Sequence, residues 1–283
     1  MAFVSSLSKD KAEILCGGRF QKCYEKLDSL FTSLKSLEAE LIFFLDGCIQ
    51  DTKFSTWARR QDKRYQENLK IMNEVYEGTP LKMIIQKYGL DIYTNTLLSA
   101  IEVVCQKHGQ LNYAVKRECD QEIANFAFKN QRVLAVFSND TDFMIFPGNW
   151  RYFSLRDLNL NTLRTKEFDR KALRKALKLN RYQMKIFATI SGNDIVSQRE
   201  LKKFHENFAY TTKMKFLEIA KYVKKNFCDI KHHFEMLQFI AKEICGQVNE
   251  SILKRLQSSF ESYGVSIDDN DSTGDESINN SLL

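Results

Sequence analysis

The chain has 283 residues, a net charge of +6 and seven cysteines scattered singly. That length suits one α/β domain with a helical extension, or two small domains, and easily builds an ordinary core. No apolar run reaches membrane-spanning length, no CxxC pair or histidine spacing fits zinc, and the opening residues have no leader design. A nuclear or cytoplasmic protein with reduced thiols and no membrane segment is expected.

The charge is unevenly placed. From Leu256 onward there is no Lys or Arg, and Asp268, Asp269, Asp271, Asp275 and Glu276 crowd the end. Without those five acids the body stands near +11, which favours a polyanionic partner. The stretch from about Ser266 is polar, acidic and poor in apolar residues, so disorder is expected there.

Phe20, Cys23, Leu27, Leu30, Phe31 and Leu34 recur at helical spacing, which predicts a helix from Phe20 to Leu37. Leu41-Ile42-Phe43-Phe44-Leu45 reads as a strand ending at Asp46. A polar, basic segment follows from Thr52 to Glu77, closed by Gly78-Thr79-Pro80. Leu81 to Tyr88 and Tyr93 to Lys107 read as helices, the second stopped at His108-Gly109. Strand, acidic motif and helix then alternate through Phe146, and Trp150 to Leu155 reads as another strand. Phe168 to Leu177 and Arg181 to Ile190 read as helices, and the chain is helical from Arg199 on. Strands alternating with helices predict a parallel sheet covered on both faces, with ligands at the carboxyl ends of its strands.

Acidic residues collect at those ends. Asp140 and Asp142 in Ser138-Asn139-Asp140-Thr141-Asp142 follow the strand-like Val133-Leu134-Ala135-Val136-Phe137. Asp46 ends its strand, Glu118 and Asp120 follow Tyr113-Ala114-Val115 and open a helix, and Asp194 stands in Ser191-Gly192-Asn193-Asp194. Two carboxylates two residues apart point the same way and can share a hard cation. One Asp after a strand is more often a turn residue or helix N-cap, so the constellation carries more than its parts. Lys53, Arg59, Arg60, Lys63 and Arg64 follow Asp46 closely, with Trp57, Tyr65 and Tyr76 among them. Lys53, Arg60, Lys63 and Arg64 share roughly one helical face, which suits a solvated helix or a phosphate track, and the rings could pack or stack on bases.

Phe44-Leu45-Asp46-Gly47, Glu118-Cys119-Asp120-Gln121-Glu122-Ile123-Ala124, Ser138 to Phe143, Ser191-Gly192-Asn193-Asp194 and Cys16-Gly17-Gly18-Arg19-Phe20 together resemble the flap-endonuclease-like (PIN-like) nuclease superfamily. Within it the pattern looks most like the asteroid branch, which also includes the constitutive coactivators of PPAR-gamma. The resemblance runs from about Cys16 to Phe208. It implies a PIN-like α/β fold, a parallel sheet flanked by helices. Residues 1–195 would form an N-terminally incomplete nuclease domain, 196–265 a helical extension and 266–283 a disordered acidic tail.

The resemblance further implies two Mg²⁺ or Mn²⁺ held by Glu118, Asp120, Asp140, Asp142 and Asp194, with Asp46 in support. Lys53 and Arg60 would steady the phosphate as catalytic residues, and Lys53, Arg59, Arg60, Lys63 and Arg64 would bind DNA or RNA. Two departures stand out. The family's first strand with its Asp has no counterpart in Met1-Ala2-Phe3-Val4-Ser5-Ser6-Leu7-Ser8, and Asp194 is followed by no glycine-rich hairpin. Two functions are therefore expected from the resemblance: a structure-specific, metal-dependent nuclease, or an inactive nuclease-fold scaffold that binds nucleic acid or proteins in gene regulation.

Overall fold

Cys23, Leu27, Leu30 and Phe31 lie one turn or two turns apart, and their burial fixes the face of helix α1 (Phe20–Lys35). That face packs on helix α4 (Thr96–His108) through Ala100, Val104 and Cys105. Asp28 on α1 accepts from Lys107 Nζ at 2.6 Å and meets His108 Nε2 at 2.7 Å, so the helix pair is also pinned by charge. Those two partners, Lys107 first, hold the Asp28 carboxyl below its usual range. The computed structural model describes residues 20–47, 49, 51–88, 96–208, 211–227, 233–246 and 248–264. The acidic tail, the residues before Phe20 and the predicted helix start at Tyr93 lie outside the described residues.

Strand β1 (Ile42–Asp46) pairs in parallel with strand β2 (Gln110–Ala114), Ile42 opposite Gln110 and Asp46 opposite Ala114. Helix α1 covers β1, with the rings of Phe31 and Phe43 4.8 Å apart. Between β1 and α4 run helices α2 (Asp51–Tyr76) and α3 (Leu81–Tyr88). Helix α5 (Cys119–Lys129) follows β2 and sets Phe126 against Phe44, ring centres 5.6 Å apart.

Helix α5 also reaches the second sheet. Its Ala124 and Ala127 share a buried cluster with Val136 of strand β3 (Ala135–Ser138) and with Phe143, Trp150 and Tyr152. Strand β3 pairs in parallel with β4 (Arg151–Ser154), and β4 pairs antiparallel with the two-residue β5 (Glu167–Phe168). A short 3-10 turn, Thr141–Met144, follows β3.

The single parallel sheet expected from the resemblance is thus corrected. Among the described residues the strands form two small sheets, one of two strands and one of three. The mixed α/β class holds; among the described residues no long PIN-like sheet joins the two pieces. No described strand exceeds five residues, and α5 bridges the pieces by side-chain packing instead of a backbone ladder. The antiparallel β5 had no strand signal, because two residues are too few for period-2 alternation to show.

The C-terminal part is helical: α6 (Arg170–Leu177), α7 (Arg181–Ser191), α8 (Lys202–His205), α9 (Thr212–Asn226), α10 (His233–Phe239) and α11 (Glu250–Ser262), with a π turn at Ile240–Ile244. Starts are specified by side chains. Asp169 caps α6, Asn180 and Gln183 form a reciprocal capping box on α7, and Asn249 caps α11. Met184, Ile186 and Ile190 of α7 share one core with Ile219 and Val223 of α9, Met236 of α10 and Ile252 and Leu256 of α11.

Gly109 sits where α4 turns into β2, and a Cβ there would lie 2.0 Å from the Leu41 carbonyl oxygen. That carbonyl accepts from Gln110 N at 3.1 Å, the bond that begins the β1–β2 pairing. Gly109→Ala is expected to lower stability by about 2–3 kcal/mol through backbone displacement. Urea unfolding of the variant measures this, and a change below about 0.5 kcal/mol would remove the close approach from the account of the fold.

Candidate functional site

Three chain segments deliver carboxylates to one place. Asp46 ends β1, Glu118 is the N-cap of α5 with Asp120 in its first turn, and Asp140 and Asp142 flank the start of the 3-10 turn after β3. Asp120 shares a side-chain hydrogen bond with Asp140 and feels Asp142 and Asp46 as well. Burial, followed by these like charges, pushes its carboxyl up to about 8. Ionising Asp120 is thus opposed both by its burial and by the neighbouring carboxylates. Burial together with Asp140, Asp120 and Asp142 raises the nearby Tyr152 phenol to about 12, and its hydroxyl donates to the Asp140 carbonyl at 2.7 Å.

Three of the other acids have structural duties. Asp140 Oδ1 accepts from Asp142 N at 2.9 Å and so caps the 3-10 turn. Asp142 Oδ1 accepts from the Tyr263 hydroxyl at 3.4 Å, and burial beside that acid drives the Tyr263 phenol upward. Asp194 follows a helix, α7, and not a strand. Arg60 of α2 grips it with both amino groups, Nη1 at 3.1 Å and Nη2 at 2.6 Å. Residues assigned by resemblance to phosphate and to metal are thus an ion pair with each other.

Beside Asp194, Asn193 is a hub. Its Oδ1 accepts from Ile195 N and Val196 N, and its Nδ2 donates to Ser259 Oγ at 2.6 Å and to Tyr263 at 3.2 Å. The basic residues divide. Arg59 is exposed, Lys63 is paired loosely with Glu67 at 3.7 Å, and Arg64 is half-buried. Lys53 lies in the first turns of α2. Trp57 is 39% exposed and stacks on the exposed Phe54 with ring centres 5.8 Å apart, so it packs within α2's own surface.

Two Mg²⁺ or Mn²⁺ ions need open, ionised carboxylates facing a common point. Among the described residues no group of three or more His, Cys, Asp or Glu is arranged to hold an ion. Asp140, Asp142 and Asp194 accept from Asp142 N, the Tyr263 hydroxyl and Arg60. No chemical step is routed through a metal at this cluster. What the sequence reading missed is the Tyr152, Asn193, Ser259 and Tyr263 scaffold. Only Asn193 stood in a motif; Tyr263 meets Asp142 across 121 positions with no local signal.

The comparisons bear on the same region. A family model described as FAM120A-like domain matches residues 177–266. The constitutive coactivator of peroxisome proliferator-activated receptor gamma from Bos taurus is 28% identical over 193 residues, 67% of this chain and 26% of the relative. The protein of the same name from Homo sapiens is 27% identical over 216 residues, 75% of this chain and 22% of the relative. The Mus musculus protein is 28% identical over 193 residues. The chain spans about a quarter of the length of the curated relatives it matches. These matches overturn the assignment to the asteroid-type nucleases and the nuclease function with it: no nuclease family matches, and the relatives are named as coactivators. Among the described residues no helix is long and apolar enough to cross a membrane.

Asp120 gives a pH test. Its folded-state value stands above the unfolded value near 3.8, so its contribution is fully present below about pH 4 and is lost as pH rises through about 8. Asp120→Asn is expected to stabilise the fold by about 1–2 kcal/mol at pH 7.5 and by nearly nothing at pH 4. Paired urea titrations at the two pH values measure this; equal effects at both would show that no strained carboxyl is relieved.

Proposed function

We propose that this chain is a docking module of a gene-regulatory protein of the coactivator kind. The observation that carries the reading is similarity to the named coactivators over two thirds to three quarters of the chain. The carboxylate cluster supports it. Its acids serve the fold, through a cap, a buried phenol and an ion pair, and so hold loops in place for partners instead of presenting reactive groups. Such work belongs in the nucleus or the cytoplasm.

The partner under this reading is a nuclear receptor. The purified 283-residue chain is expected to bind the ligand-binding domain of peroxisome proliferator-activated receptor gamma with a Kd of about 1–10 µM, as transient regulatory contacts do. Isothermal titration measures it. No heat of binding at about 100 µM would overturn the receptor as this module's partner.

The cationic flank of α2 supports a second contact, with RNA or DNA. Arg59 is exposed and Lys63 projects beside it, on a chain of net charge +6. Lys53, Arg60 and Arg64 complete the flank in sequence. Arg59→Glu with Lys63→Glu is expected to weaken binding of a labelled oligouridylate about tenfold and to lower the salt slope by about 2. Fluorescence anisotropy between low and physiological salt measures both, and an unchanged slope would take this flank out of nucleic-acid contact.

A further inference from the structure

Helix α6 keeps its apolar and charged sides apart. Leu173 and Leu177 pack against the C-terminal helical core. At about 100° per residue, Lys171, Arg174 and Lys175 fall in an arc of roughly 100°, centred roughly 130° from the two leucines. Lys178 follows as the C-cap. Lys171, Lys175 and Lys178 are exposed and Arg174 is half-buried, so the leucines hold this arc on the solvent side of the helix.

Helix α7 carries the charge onward with the exposed Arg181 and the half-buried Lys185, one turn apart. Burial, followed by Arg174 and Arg181, pushes the Arg170 guanidinium down to about 10, so cations of both helices bear on one place. From Arg170 to Asn193 the chain has seven Lys and Arg and no Asp or Glu. Among the described residues none of Lys171, Arg174, Lys175, Lys178 and Arg181 is in an ion pair. Like charges left uncompensated repel, and such a surface draws anions.

The same chain supplies the anions. Helix α11 packs on α7, with the Tyr182 and Phe260 rings 5.1 Å apart and Lys185 Nζ 5.2 Å from the Phe260 ring centre. Gly264, the last described residue, follows α11 beside that lysine: a Cβ on Gly264 would stand 3.6 Å from Lys185 Nζ. Residues 265–283 start from this point and carry Asp268, Asp269, Asp271, Asp275 and Glu276 with no Lys or Arg. Asp268 is four residues beyond Gly264 and Glu276 twelve, so they reach at most about 13 Å and about 40 Å at about 3.3 Å per residue. Lys185 to Arg181 covers about 6 Å along α7, and Lys171 to Lys178 about 10 Å along α6. Tethering this close gives an effective concentration of about 1 mM, which a foreign acidic chain at micromolar levels does not match.

We infer that the acidic segment 265–283 docks on the cationic surface of its own chain, formed by α6 and the start of α7. Its carboxylates lie against Lys175, Lys178 and Arg181. A contact between exposed charges yields to salt, and a polyanion arriving at this surface must first displace the segment. The inference rests on charge and on the position of Gly264, not on the receptor-binding reading or on the flank of α2.

Acylation of lysines in the full chain at about 20 mM salt, read by peptide mass spectrometry, is the test. The comparison is a full chain whose acids are amides: Asp268→Asn, Asp269→Asn, Asp271→Asn, Asp275→Asn and Glu276→Gln. Lys171, Lys175 and Lys178 are expected to react about threefold faster in the amide variant, as a contact occupied about two-thirds of the time requires. Lys63 and Lys202, exposed elsewhere, should keep their rates. In the parent, a zero-length carbodiimide should join Asp268, Asp269 or Asp271 to Lys175 or Lys178 within one chain, and about 0.5 M salt should abolish the joins. Arg174→Gln with Arg181→Gln should lower their yield about twofold or more, with circular dichroism as in the parent. Equal acylation in the parent and the amide variant overturns the inference and leaves the surface open to a foreign polyanion. So do joins spread evenly over the lysines of α2 and α9, or joins found only between two chains.

Discussion

Negative charges brought within a few ångströms of one another in a half-buried setting repel strongly, and every nearby element answers that repulsion. Asp120 answers with a carboxyl pushed upward by burial and by its neighbours. Asp140 is satisfied by a backbone N–H, Asp142 by a phenol from the last helix, and Asp194 by a guanidinium from α2. The partners come from helices that otherwise belong to different cores. Tyr263 lies in the cluster around Phe143, while Ile252, Leu256 and Phe260 of the adjoining α11 lie in the C-terminal helical core. Compensating the acids thus adds to the Phe146–Tyr263 packing and the Arg170 hydrogen bonds to Phe146 and Gly148 in joining the β3–β4–β5 sheet to the helical part.

Much of the fold was legible from periodicity. The Cys23, Leu27, Leu30, Phe31 spacing placed α1, and Leu41 to Leu45 placed β1, because one-sided burial writes a period into the sequence. Asp120 does feel Asp46, Asp140 and Asp142, the acids that stand at the ends of β1 and β3 in the sequence. Asp194 was grouped with strand ends although Arg181 to Ile190 read as a helix, and it does leave the helix α7. The partners of the acids were illegible: Tyr263 and Ser259 are ordinary residues of a helix, brought to the site by packing across 70 to 121 positions. The nuclease reading failed for a related reason. Acidic positions at strand ends describe a layout, and a layout does not specify chemistry until the protonation and partners of each group are known.

Helix α2 shows the opposite economy. Its 26 residues are anchored at Arg60 and Ile71, with most of its side chains in water. Strong helix formers and the Lys63–Glu67 pair at i,i+4 sustain it between those points. Arg60 contributes a bidentate ion pair and Ile71 a packed aliphatic, both within the middle of the helix.

The hydroxyl of Tyr263 has a consequence in time as well as in space. It reaches Asp142 from 121 positions further along the chain, and Asn193 joins it from 70 positions away. During synthesis the loop after β3 emerges long before the residues that quiet its charge. Contacts of such long range form late, after the entropy of closing a long loop has been overcome. The charge balance of this half of the molecule is thus completed from the carboxyl-terminal side, by the tyrosine that caps α11.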